Sequence, residues 1–122
     1  MDFSKDSLYD KELQLLAGFA KAIGYSGRIE ILLFLEDEGP CTVKELAKGH
    51  PICMETLSQH LKILREAQLV IAEEKYPYTI YRVHKGNMAR MRKAFAWFFK
   101  QFDLEPKKGK KVARRNRKRV MK

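Results

Sequence analysis

TVKELAKGHPICMETLSQHLKILREAQLV, residues 42–70, is the stretch on which the fold turns. Thr42 is followed three residues later by Glu45, the spacing at which a hydroxyl and a carboxylate cap one helix start reciprocally. This predicts a short helix over residues 43–48, closed by Gly49. Gly49-His50-Pro51-Ile52 reads as a turn, and a longer helix follows over residues 54–67. There Leu57, Leu61 and Leu64 recur at helical spacing and form an inner face. Glu55, Thr56, Ser58, Gln59 and Lys62 populate the opposite side. A short capped helix, a tight turn and a second amphipathic helix make a helix-turn-helix. The outward side chains suit base edges. Gln pairs bidentately with adenine, Ser and Thr serve several bases, and Lys takes guanine or a phosphate. Glu55 can accept from cytosine N4 but repels phosphates. Any amphipathic surface helix shows the same polarity, so the weight rests on what flanks this one.

Downstream, residues 69–74 and 79–84 read as two strands joined by Lys75-Tyr76-Pro77-Tyr78, the second rich in Thr, Ile, Tyr and Val. Upstream, residues 7–23 read as a helix capped by Ser7 and closed by Gly24, with apolar stripes on two sides. Residues 27–36, behind Ser26, form the most apolar stretch and the expected centre of the core, stopped by Glu36-Asp37-Glu38-Gly39-Pro40. A last helix is expected over residues 88–102, capped by Asn87, with Met88, Met91, Phe95, Phe98 and Phe102 at spacings of 3, 4, 3 and 4. The expected fold is mainly α with a small β-hairpin: a winged helix-turn-helix with an extra helix at each end. Residues 1–106 make the domain, and 107–122 a basic, disordered tail.

Charge alone does not point to nucleic acid. The chain carries 25 Lys and Arg against 15 Asp and Glu, but ten of the basic residues lie in 107–122, leaving 15 against 15 before them. Two cysteines, Cys41 and Cys53, are too few for a disulfide framework and fit a reducing cytoplasm. Asp2, Asp6, Asp10 and Glu12 stand where a signal peptide would be basic and then apolar. No apolar run is long enough to cross a bilayer.

Arg28-Ile29-Glu30-Ile31-Leu32, the segment TLSQHLKILREAQLV at 56–70 and the strand through 78–83 together resemble the ArsR-type winged helix-turn-helix regulators, over roughly residues 10–102. The resemblance implies that Met54, Glu55, Thr56, Ser58, Gln59 and Lys62 face DNA. His60 matches a family His beside a core Leu and reads as a helix-packing residue rather than a base contact. Cys53 stands where the family usually has a capping Ser, and a thiol caps less well. The wing tip also departs, with Lys75-Tyr76-Pro77-Tyr78 in place of Gly and Arg. Lys75 and Arg82 remain available for phosphates, while Tyr76 and Tyr78 either pack on sugars or stiffen the hairpin.

Many such proteins release DNA when a metal binds. One family site is a Cys-x-Cys pair before an acidic residue and Leu; aligned on Glu45-Leu46, those positions hold Thr42 and Lys44. Another uses His and carboxylates on the last helix, and residues 88–102 contain neither. The sequence therefore indicates no metal site and no cofactor, although a Cys41–Cys53 redox switch stays open. No phosphate loop, activated nucleophile or carboxylate pair indicates an enzyme.

The first and last helices carry more apolar surface than one small domain covers. Pairing across a two-fold axis is expected to bury Leu13, Leu16, Ala20, Met88, Met91, Phe95, Phe98 and Phe102. The expected function is a dimeric, cytoplasmic, sequence-specific regulator of double-stranded DNA, acting as a repressor and not binding membranes. Whether a small-molecule inducer exists stays open. The alternative is a non-specific nucleic-acid or protein-interaction module that works through the tail.

Overall fold

Asp10 opens the first helix: its backbone is extended and its side chain accepts the Leu13 N–H at 3.1 Å. A computed structural model describes residues 10–106, and Ser7 and the tail at 107–122 lie outside them. Helix α1 is Lys11–Ala22. It starts later than residue 7 because the Asp10 carboxylate both accepts an orphan N–H and places negative charge at the positive helix end.

Helix α2 is Ser26–Glu38. Ser26 is its first helical residue rather than its cap; Tyr25 precedes it in extended conformation with no side-chain cap bond. The helix runs on through the acidic residues and stops at Gly39, whose φ of 83° is a left-handed value that favours glycine. Helices α3, Val43–Lys48, and α4, Met54–Glu66, form the helix-turn-helix. The capping box is complete: Glu45 N–H donates to Thr42 Oγ1 at 3.2 Å, and Thr42 N–H to Glu45 Oε1 at 2.8 Å. At the end of α4, Leu69 N–H reaches the Leu64 carbonyl and Gln68 N–H the Arg65 carbonyl, each at 2.9 Å. These bonds form a Schellman turn with Gln68, at φ 62°, in the left-handed position.

The wing is β2, Val70–Lys75, against β3, Tyr78–Val83, in register from Val70↔Val83 to Lys75↔Tyr78 around a two-residue turn. A third strand, β1 at Cys41–Thr42, pairs with Tyr81 and Ile80, giving the antiparallel order β1-β3-β2. Two residues are too few to show the alternation that marks a strand, so β1 is absent from the sequence pattern. Helix α5, Lys85–Lys100, begins three residues before its expected start. Its cap is His84, whose Nδ1 accepts the Asn87 N–H at 3.1 Å. Asn87 instead lies buried in the first turn and donates from Nδ2 to the Gln68 carbonyl at 2.9 Å, tying α5 to the end of α4.

Ile31, Leu46, Leu57, Leu61, Leu64, Leu69 and Val70 are buried completely, and Phe19, Ala22, Val83 and Met91 close the core from α1, β3 and α5. Burying each large aliphatic side chain contributes about 1.5–3 kcal/mol. The result is a mainly helical winged helix-turn-helix with one further helix at each end. No described helix is long and apolar enough to cross a membrane.

Candidate nucleic-acid interface

The buried leucines of α4 set the direction of everything opposite them. With Leu57, Leu61 and Leu64 in the core, Met54, Glu55, Thr56, Ser58 and Gln59 are all exposed and line one shallow surface depression. Lys62, one turn beyond Ser58, is exposed too. All six side chains therefore share the outward side of one helix. Glu55 lies in the first turn, where the helix dipole favours a carboxylate.

Cys53 is the exposed N-cap of α4, and as a neutral thiol it makes no cap bond. Its Sγ lies 3.3 Å from Thr56 Oγ1. A thiolate is drawn chiefly to that hydroxyl, and next to the nearby Thr56 and Glu55 N–H groups, which holds the Cys53 pKa below the usual thiol value. Cys41 is the opposite case: buried, donating to the Gly39 carbonyl at 3.2 Å, with its pKa pushed up by burial and then by Glu45 and Glu38.

The turn between α3 and α4 is held by a residue whose part the sequence pattern did not reveal. His50 is buried, and its Nδ1 lies 2.6 Å from the Leu46 carbonyl. A carbonyl only accepts, so Nδ1 carries the proton. The ring also meets the Phe34 ring edge-on, with centroids 5.2 Å apart. These contacts tie the turn to α3 and α2. His60 packs inward against α2, half-buried, away from the outward side of α4.

On the wing, cross-strand register puts Ile71, Glu73 and Lys75 on one face with Arg82, Ile80 and Tyr78. Lys75 and Arg82 thus share a face, at opposite ends of it. Between them stands Glu73, whose carboxylate is 3.8 Å from Arg82 Nε. Arg82, expected to be available for phosphates, thus has a carboxylate brought beside it by strand register. Tyr76 and Tyr78 project into solvent from the tip.

Helices α1 and α5 pack on each other. Leu13, Ala20, Phe98 and Phe102 remain exposed, and Leu16, Met88 and Phe95 are half-buried. Met91, expected at a subunit interface, has its side chain buried in the core of its own chain. Trp97, Phe99 and Leu104 enlarge the apolar surface, and the Phe98 ring meets those of Phe99 and Phe102 at centroid distances of 5.5 and 5.1 Å. At the aligned metal-ligand positions, Thr42 is occupied as the α3 cap and Lys44 is exposed. Among the described residues no three His, Cys, Asp or Glu side chains are grouped to hold a metal.

Comparison with known proteins agrees with this fold. Residues 26–72 match the bacterial regulatory protein arsR family. The fold is similar to an ArsR-like transcriptional regulator from Rhodococcus sp. RHA1, with a TM-score of 0.65 at 20% identity over 73% of this chain and 83% of that one. It is similar to a homodimeric winged helix-turn-helix DNA-binding domain from Mycobacterium bovis, a possible ArsR-family regulator, with a TM-score of 0.60 at 26% identity over 86% and 92% of the two chains. NolR from Sinorhizobium fredii has a TM-score of 0.60 at 25% identity, over 81% of this chain and 96% of its own. No curated protein matches the chain in sequence.

Proposed function

We propose that the chain, whose residues 26–72 match the arsR family, works as a cytoplasmic homodimeric repressor that reads double-stranded DNA in the major groove. The observation that carries this reading is the outward side of α4. Thr56, Ser58, Gln59 and Lys62 present donors and acceptors of the lengths that base edges require, on a helix locked by three buried leucines. Met54 offers apolar contact for a thymine methyl, and Glu55 an acceptor for cytosine N4. Lys75 and Arg82 on the wing take phosphates, which position the domain without reading sequence.

Two copies pair through α1 and α5, covering Leu13, Leu16, Ala20, Met88, Phe95, Phe98 and Phe102. The exposed aromatic strip on α5 supports this, since a small domain seldom leaves so continuous an apolar surface uncovered. Pairing places the two α4 helices on half-sites about 34 Å apart, one turn of DNA. Thr42 and Lys44 replace the Cys-x-Cys pair, so repression is not relieved by metal at that site. Residues 107–122 add sequence-independent phosphate contacts.

Selection of bound fragments from random duplex DNA, by the full chain and by a chain ending at residue 106, tests the reading. A near-palindromic site is expected from both, with a flatter salt dependence for the shorter chain. Ser58→Ala with Gln59→Ala is expected to abolish the preference. A double variant that selects the same site, or a full chain that selects none, leaves the non-specific module as the better account.

A further inference from the structure

Arg28 is a buried cation with no carboxylate partner among the described residues: its residue is 5% exposed, in the first turn of α2. Its guanidinium is held by carbonyls instead. Nε donates to Ala22 O and Nη2 to Lys21 O at 3.2 Å, so it closes the C-terminal end of α1, where cationic donors are favoured. A further polar contact crosses to α4: Nη1 lies 3.4 Å from His60 Nδ1. Arginine has donors only, so Nδ1 must be the acceptor, and the imidazole facing Arg28 is neutral with its proton on Nε2.

The first turn of α2 is shaped around this ring. The Tyr25 ring lies 4.4 Å from Arg28 Cζ and 6.1 Å, centroid to centroid, from His60. Gly27 forms the floor, because a Cβ there would stand 2.8 Å from His60 Nε2 and 3.0 Å from its Cδ2. Only glycine lets the imidazole approach so closely. The charged and titratable groups facing the ring are Arg28, from α2, and Tyr25, the residue before that helix. The end of α1 enters through the Lys21 and Ala22 carbonyls that hold Arg28. On α4 itself the neighbours one turn away, Thr56, Leu57, Ile63 and Leu64, carry no charge.

His60 sits between Gln59, on the outward side, and Leu61, in the core. We propose that Arg28 and His60 are a positioning pair for DNA reading: Tyr25, Gly27 and Arg28 form a socket that holds a neutral His60 and so fixes the rotation of α4, and protonation of His60 releases that helix and weakens binding. This rests on reading α4 as the helix that enters the groove. A protonated imidazole loses the bond to Arg28 and sets two cations side by side in a partly desolvated place. Because the same guanidinium holds α1, one group links the end of a dimer helix to the reading helix.

The test measures affinity of the full chain for a duplex selected by the wild-type chain, at pH 7.5 and 5.5. His60→Asn puts a non-titrating oxygen near the place of Nδ1; His60→Ala removes the acceptor. Wild-type affinity is expected to fall several-fold, with about tenfold as the ceiling for one imidazole, from the higher to the lower pH, with His60→Asn flat within about twofold and His60→Ala down about tenfold at both. If His60→Ala is too unstable to assay, Gly27→Ala serves instead. It should weaken the wild type, because its Cβ meets Nε2, and should be tolerated beside His60→Asn, which lacks that atom. An unchanged pH profile in His60→Asn, or Gly27→Ala costs equal in both backgrounds, overturns the pair. If Ser58→Ala with Gln59→Ala loses site preference while the His60 variants behave like wild type, the pair alone fails. If that double variant keeps the preference, the reading of α4 fails and the pair falls with it.

Discussion

Met91 and Phe98 stand seven residues apart on one stripe of α5, yet Met91 is 9% exposed and Phe98 36%. The stripe starts over the core and runs off its edge. One periodic pattern therefore closes the chain's own core at one end and leaves apolar surface exposed at the other, the surface proposed above to meet a second copy. Met91→Ala is expected to cost about 2–4 kcal/mol in urea unfolding, as cavity formation does. Phe98→Ser should leave the fold intact and shift the mass seen by light scattering toward one chain. A Phe98→Ser protein that stays dimeric at micromolar concentration would remove this residue from the interface.

Gln68 holds a left-handed backbone, φ 62°, at the turn where α4 meets the wing. A side chain pays a steric penalty there that glycine avoids. Its contact with Asn87 runs mainly through its carbonyl, which substitution keeps. Gln68→Gly should raise unfolding stability by about 0.5–1 kcal/mol. Destabilisation instead would mean that the Gln68 side chain supports the α4–α5 joint.

Glu73 lies beside Arg82 on the face of the wing read as touching phosphate. Glu73→Gln removes that competing carboxylate. Tighter DNA binding is expected, with the slope of log affinity against log salt steeper by up to about 0.9, one further phosphate neutralised. An unchanged slope would place Arg82 away from the backbone.

The two thiols should differ in reactivity. Iodoacetamide at pH 7 is expected to label Cys53 in the native protein, where the group is exposed and its thiolate favoured. Cys41, buried and with a raised pKa, should label only in denaturant. Mass spectrometry of the peptides reads the outcome, and equal labelling of both in the native state would contradict it. Cys53→Ser should raise the thermal midpoint, because a hydroxyl caps a helix better than a thiol.

Stability should fall with acid through His60. Burial, and then the neighbouring Arg28 charge, hold its pKa below the usual 6.5. Above that value both folded and unfolded chains are neutral at this site. As pH drops below it the unfolded chain binds the proton first, so stability is lost until the folded pKa is passed. Urea midpoints of wild type and His60→Asn should therefore keep a constant difference at pH 7–8. The wild type should lose ground below about 6.5. A wild type that gains relative stability in acid would contradict this sign.

Much of this molecule was legible in one dimension. The capping box at Thr42 and Glu45, the buried triad Leu57, Leu61 and Leu64, and the outward polar side of α4 all follow from spacings of three and four residues, which a helix turns directly into faces. Helix starts were less legible. Ser26 and Asn87 both have capping side chains, but a cap acts only where the backbone leaves the helix, and that point fell at Tyr25 and His84.

What the tertiary structure alone decided are contacts between residues far apart in the chain. Strand register set Glu73 against Arg82, and β1 found its partners at Tyr81 and Ile80. The crossing of α2 and α4 brought Arg28 to His60 across 32 positions, into a socket that Gly27 leaves open. Short-range periodicity determines which face of α4 points outward. The rotation of that face against its neighbours is decided where the helices pack, because such contacts leave no repeat in the sequence to read.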